Sequence, residues 1–174
     1  MTAHRWTTTP TPVGTVTLVG TDAGLCGLYM EEHRHRPPLP DDAVRDDAAF
    51  GDAVAELRAY FAGELRDFAT PVAVSVGTPF QHRVWDALRT VPYGTTTTYG
   101  ELAVRLGVPG GARAVGLANG RNPVSIVVPC HRVIGAAGAL TGYGGGVERK
   151  RFLLGLEGVV VPGAEVLRLD LAGI

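Results

Sequence analysis

The sequence predicts an α/β unit with an antiparallel sheet, followed by a mostly helical unit. Three observations carry this prediction. The first third alternates short apolar stretches with turn residues, the pattern of a strand meander. The second half repeats apolar residues at helical spacing. The pattern changes at Gly77-Thr78-Pro79, which divides the chain into 1–77 and 78–174.

In the first unit, Arg5–Thr9, Gly14–Val19 and Leu25–Tyr29 read as strands. Pro10, Pro12, Gly20, Asp22 and Gly24 punctuate them. Residues 32–43, EHRHRPPLPDDA, are polar and Pro-rich and read as a mobile surface loop. Phe50, Val54, Leu57 and Phe61 define a helix over roughly 46–64, with Ala55, Ala59 and Tyr60 filling in. Val72, Val74 and Val76 alternate as one more strand.

The second unit opens on Thr78 as an N-cap, with Pro79 at the first helical position. Phe80, Val84, Trp85, Leu88 and Val91 form one face, and Pro92-Tyr93-Gly94 stops the helix. Thr98 precedes Glu101 by three residues, the spacing of a capping box, and a helix follows to Leu106. Gly107–Gly111 is a sharp turn, and Ala112–Gly120 is a second short helix. Two helices joined this tightly match a DNA-binding helix pair. Ala112, Ala114, Gly116 and Ala118 are small, and Arg113 is the helix's one charge. Such a face suits close approach to a nucleic-acid groove, or close packing on a neighbouring helix. Val147–Leu156 reads as the last helix, with Gly158 capping its end.

Composition narrows the class. The 174 residues are 45% apolar and 19% charged, which suits a globular protein of one or two domains. No apolar run reaches membrane-spanning length, and the N-terminus lacks the apolar core of a secretory signal. Two cysteines suit a reducing, cytoplasmic setting and disfavour a cysteine-rich zinc site. Residues 1–77 carry six basic and eleven acidic side chains, whereas 78–157 carry nine basic and four acidic. The basic half suits a polyanion such as nucleic acid.

The chemistry concentrates at Pro129-Cys130-His131-Arg132-Val133, after the apolar run Ser125–Val128. Imidazole or guanidinium groups beside a cysteine favour its thiolate, so Cys130 is either a nucleophile or a buried core residue. Asn122 either shapes its own turn or orients the nucleophile loop. The Gly-rich stretch 135–146 lacks the Lys-Ser/Thr ending of a phosphate loop and reads as a flexible wall for a planar ligand. Glu157 sits at the negative end of its helix dipole, either solvated or partnered by His131. With such a partner the three residues form a Cys–His–Glu relay.

Together these pieces resemble the O6-alkylguanine-DNA alkyltransferases. The matching stretches are PYGTTTTYGELA (92–103), ARAVGLANGRNP (112–123), IVVPCHRVIG (126–135), TGYGGG (141–146) and LEG (156–158). The first 77 residues resemble the family only in general plan, a small ribonuclease-H-like α/β domain. The resemblance implies a winged-helix-like helix-turn-helix in the second unit and a protein acting on alkylated double-stranded DNA. It implies that Cys130 accepts the alkyl group from O6-alkylguanine, and from O4-alkylthymine, once the base is flipped out. It casts His131 as the base acting through a water, with Glu157 behind it. Tyr99 would crowd the neighbouring phosphate and donate to the flipped base. Arg113 would fill the vacated stack, with Ala112, Ala114 and Gly116 along the DNA. Asn122 would brace the loops. Tyr143, Gly144 and the carbonyls of Cys130 and Val133 would line the guanine pocket. Many members carry serine where Gly144 stands. No cofactor and no metal are implied, and the protein is expected to be a monomer that can bind DNA cooperatively. Three other readings compete: a cysteine hydrolase, a non-catalytic lesion sensor, and a transcriptional regulator using the helix pair.

Overall fold

The computed structural model describes residues 3–161. Strands β1 (Arg5–Thr9), β2 (Val16–Thr21) and β3 (Gly24–Met30) form the antiparallel meander. A two-residue strand, β4 (Val44–Arg45), joins β1 in parallel, so the order is β3-β2-β1-β4 and the sheet is mixed rather than antiparallel throughout. The long connection from β3 crosses to the far edge, and a crossover of that length permits parallel entry.

Helix α1 (Gly51–Phe61) is shorter than expected, with a single 3₁₀ turn over Ala48–Phe50 before it. Its Leu57, Tyr60 and Phe61 share one core with Leu18, Leu28 and Met30 of the sheet. The strand expected over Val72–Val76 does not form. Only Val72 bridges to Leu25, through Leu25 N–Pro71 O and Ala73 N–Leu25 O bonds. Pro71 has no amide to extend that ladder, and Val76 is exposed.

The helices of the second half are α2 (Pro79–Leu88), α3 (Tyr99–Arg105), α4 (Ala112–Gly120) and α5 (Val147–Leu156). Thr78 with Gln81, and Thr98 with Glu101, close reciprocal capping boxes. Each N-cap side chain is worth about 1 kcal/mol against alanine. Among the helices lies one short parallel pair, β5 (Thr97–Thr98) with β6 (Val133–Ile134). The helix α4 packs on both α2 and α3, and Trp85 Nε1 donates to Ala118 O at 2.9 Å.

Backbone bonds tie the two halves together where the chemistry sits. Leu28 N on β3 donates to Pro123 O at 2.8 Å, and Ser125 N donates to Leu28 O at 3.3 Å. The sheet edge thereby anchors the segment that leads to Cys130. Arg149 of α5 reaches across to Val13 O (2.9 Å) and Glu31 O (2.7 Å). The polar loop after β3 does not lie wholly on the surface as expected. His33 is buried, and Arg34 N donates to Gly144 O at 2.8 Å. Among the described residues no helix is long and apolar enough to cross a membrane.

Candidate active site

Cys130 opens a 3₁₀ turn over Cys130–Arg132, and its residue is only 2% exposed. Its neighbour His131 is fully enclosed. His131 Nε2 donates to Glu157 Oε1 at 2.7 Å, which fixes the tautomer and leaves Nδ1 as an acceptor without a partner. Glu157 follows α5 directly, where the helix dipole disfavours a carboxylate. Four donors offset that: His131, Arg132 Nε at 2.9 Å, Arg132 Nη2 at 2.9 Å, and Tyr60 Oη at 2.7 Å. Burial works against the charged form, but the His131 and Arg132 hydrogen bonds outweigh it and hold Glu157 at about 2. Burial keeps His131 below the ordinary imidazole range although Glu157 pulls it up.

The thiol's surroundings differ from the expectation. Arg132 was expected to favour the thiolate, but it turns away to Glu157 and to Val91 O at 2.7 Å. The cation that acts on Cys130 is Lys150 of α5, which is itself fully buried. Its Nζ donates to Val133 O and to Thr141 O (2.8 Å) and lies 3.5 Å from Tyr99 Oη. Burial is the largest influence on the Cys130 thiol and raises it, while Asn122, Lys150 and Ser125 act in the opposite direction. Burial likewise lowers Lys150 to about 8.

Several of the other expected residues fall around this centre, whereas Ala112, Arg113 and Ala114 lie on the outer part of α4. Asn122 Nδ2 donates to Val128 O (2.8 Å) and its Oδ1 accepts from Val124 N (3.0 Å), so its amide spans the loop before Cys130. Tyr99 Oη donates to Thr141 O at 2.7 Å. A Cβ on Gly142 would come within 2.8 Å of that hydroxyl, and its backbone sits at φ +72°. Gly116 lies against the Tyr99 ring. Arg113 and Ala114 are exposed on α4, with Ala112 half-buried beside them. Tyr143 is buried, with its hydroxyl 3.9 Å from Met30 Sδ. The carbonyls of Cys130 and Val133 already accept protein donors, Asn119 Nδ2 at 3.3 Å and Lys150 Nζ. A Cβ on Gly144 would lie 2.6 Å from His33 Nε2, so the histidine ring occupies the space a serine would need. Among the described residues no group of three or more His, Cys, Asp or Glu side chains could hold a metal ion.

Tyr60, Lys150 and His33 were not assigned to the site from the sequence, and Arg132 was read as a neighbour of the thiol rather than as a partner of Glu157. Lys150 had a signal: it shares the buried stripe of α5 with Leu153 and Leu154, where a lysine is out of place. Tyr60 had none, because it repeats with Leu57 as ordinary core.

His33 yields a test of its own. Burial, with Arg149 and Arg36 nearby, lowers it from 6.5 to about 4. The unfolded chain therefore binds a proton that the folded chain refuses between those values. The stabilisation is complete above pH 6.5 and is lost as pH falls toward 4. Thermal melts across that window are expected to show a shallower decline for His33→Gln than for the parent. Parallel curves would mean that His33 is protonated in the fold.

This fold and site define a class: a small sheet unit joined to a helical unit around an enclosed Cys–His–Glu constellation. A family model for the 6-O-methylguanine DNA methyltransferase DNA-binding domain matches residues 79–159, and one for the ribonuclease-like domain matches residues 4–74. The chain belongs to the 6-O-methylguanine DNA methyltransferase family. It is 54% identical over 153 residues to a methylated-DNA–protein-cysteine methyltransferase of Mycobacterium tuberculosis strain H37Rv, covering 88% of this chain and 92% of that protein. The Methanosarcina acetivorans protein of that name is 50% identical over 147 residues, 84% of this chain and 94% of its own. The crystal structure of Mycobacterium tuberculosis OGT in complex with DNA superposes with a TM-score of 0.85 at 53% identity, covering 88% of this chain and 93% of that one. The O6-methylguanine-DNA methyltransferase of Pyrococcus kodakaraensis strain KOD1 matches at 0.65 and 28%, covering 90% and 99%.

Proposed function

We propose that this protein reverses alkylation damage directly, by moving the alkyl group from O6-alkylguanine in duplex DNA onto Cys130. The observation that carries this is the buried relay: His131 commits Nε2 to Glu157 and keeps Nδ1 free as an acceptor, in a chain of this family. His131 takes the thiol proton through a water, and the thiolate sulfur attacks the alkyl carbon in line. The S–C bond forms as the C–O bond breaks, and the electron pair passes to the guanine. The Tyr99 hydroxyl turns from Thr141 to the base and stabilises that developing charge. The alkyl carbon is out of reach inside a duplex, so the base leaves the stack. Arg113, exposed on α4, fills the gap, while Ala112, Ala114 and Gly116 let the helix approach the groove. The segments α3 and α4 then work as a helix-turn-helix, and the working units are residues 1–77 and 78–174. O4-alkylthymine enters the same pocket. The protein acts in the cytoplasm as a monomer that can gather cooperatively on DNA.

The thioether product is not hydrolysed at neutral pH, so one molecule accepts one alkyl group. Intact-protein mass spectrometry after exposure to an oligonucleotide containing O6-methylguanine is expected to show a gain of one methyl group. Peptide mapping should place it on Cys130, and Cys130→Ser should gain nothing while still binding DNA. An unchanged mass in the folded, reduced parent would sink the proposal, as would more than one methyl group transferred per molecule.

A further inference from the structure

Ser125 is a polar residue sealed inside an apolar run. It is 1% exposed, between Val124 and Ile126 at 0% and 1%. Its backbone is paired: the amide donates to Leu28 O at 3.3 Å, and the carbonyl accepts from Val127 N at 2.9 Å. Its Oγ is different. That oxygen is buried and has no hydrogen-bond partner of good geometry, yet it faces both the Cys130 thiol and the Tyr143 hydroxyl. A buried hydroxyl with no partner is a cost that alanine would avoid at the same volume.

The adjoining residue carries a second cost. Ile126 sits at φ +71°, in the left-handed region that a β-branched side chain strongly disfavours. That reversal lets Val127 N return to Ser125 O and Val128 N return to Val124 O. The tight turn that results leads directly into Pro129 and Cys130. Backbone strain and unpaired buried polar groups gather where a site requires them.

Resting on the reading of Cys130 as the acceptor, we infer that the Ser125 hydroxyl is a catalytic hydrogen-bond donor to the Cys130 sulfur. While the thiol is protonated the hydroxyl faces only neutral acceptors, the thiol sulfur and the Tyr143 oxygen, and makes no hydrogen bond to either. Once the proton has left, Oγ–H rotates onto the thiolate, which accepts strongly where the thiol does not. No bond to Ser125 breaks, and its proton stays on Oγ throughout. Asn122 also faces the sulfur, but its amide is committed to Val128 O and Val124 N. The other groups that act on the sulfur are Tyr143 from the Gly-rich loop, Tyr99 from α3 and the Lys150 ammonium from α5, and His131 follows it in the chain with Nε2 turned to Glu157. Ser125 is the donor among them with no other partner.

The test is a pH titration of the Cys130 thiolate by its ultraviolet absorbance, on the full chain, with the matching Cys130→Ser protein subtracted. Ser125→Ala is expected to raise the thiol pKa by about 1 unit, the size of a lost hydrogen bond to a charge. Methyl transfer from an O6-methylguanine oligonucleotide should slow about tenfold at neutral pH, and the gap should close at high pH where the thiol ionises unaided. DNA binding should not change. Ser125→Thr keeps the hydroxyl and should titrate like the parent. A folded Ser125→Ala protein whose thiol curve overlays the parent's would overturn the inference, as would a threonine variant shifted as far as alanine. The titration needs no DNA, so it separates this inference from the repair activity. A parent that never gains methyl mass would refute the acceptor role and leave the thiolate result to decide the role of Ser125.

Discussion

Glu157→Gln is expected to cost about 3–5 kcal/mol of stability, the typical loss when one partner of a buried ion pair is removed. Glutamine keeps the volume but removes the charge. Arg132 is 5% exposed and would be left buried without a counter-charge. The incoming amide NH₂ would face Tyr60, His131 and Arg132 Nη2 if it takes the Oε1 position, or Arg132 Nε if it takes the Oε2 position, and all of these are donors. A domain of this kind has only about 5–15 kcal/mol in hand, so urea denaturation will read the loss easily. The pH dependence gives an internal check. Glu157 is held at about 2 against an ordinary 4.5, so its stabilisation is present above 4.5 and disappears as pH falls toward 2. The gap between parent and variant should therefore narrow below pH 4.5. Replacing Arg132 with methionine in the same chain should recover part of the loss, because the orphaned guanidinium is then gone. A variant that melts with the parent would show that Arg132 finds another partner and that the carboxylate is not the keystone of the network.

What the sequence revealed, and what it hid, follows from the range of each signal. Caps are local chemistry, so Thr78-Pro79 and Thr98–Glu101 located two helix starts without any tertiary information. Cys130 and His131 stood out by their adjacency, whereas Glu157 at the end of its helix read as either a solvated carboxylate or a partner of His131, and the structure pairs it with His131. The Val72–Val76 stretch was misread because alternation reports a pleated surface, and pairing depends on a partner edge that only Leu25 supplies. The direction of Arg132 was equally invisible. Adjacency to Cys130 suggested a thiolate partner, but the 3₁₀ turn swings its side chain to Glu157 instead. Tyr60 lies 97 residues from Glu157, and no spacing rule spans that distance. The burial of the thiol also reverses a local inference: neighbouring polar groups in sequence do not predict a low pKa when desolvation is the largest influence.

Lys150→Met is expected to leave the fold standing and to slow alkyl transfer by about tenfold to a hundredfold, corresponding to a thiol raised by one to two units. The stability side is a near balance. The ammonium is fully buried, and its fall from 10.5 to about 8 reports an unfavourable charged state at neutral pH. That shift is worth roughly 3 kcal/mol. Methionine removes this cost, but it also takes the donor from Val133 O and Thr141 O. Each such orphaned carbonyl costs about 1–3 kcal/mol, so the two effects offset. The catalytic side has no such offset. Lys150 is the lysine that acts on Cys130, and it lies 5.8 Å over the Tyr99 ring and 3.5 Å from its hydroxyl. Without it, the buried thiolate and the Tyr99 hydroxyl both lose their nearby positive charge. The folded pKa lies below the unfolded one, so the parent gains stability as pH rises from about 8 toward 10.5, and the methionine variant lacks that gain. Paired melts across that range, together with single-turnover transfer rates at neutral pH, separate the two roles. Transfer at the parent's rate would show that the ammonium serves only the carbonyls of the Gly-rich loop.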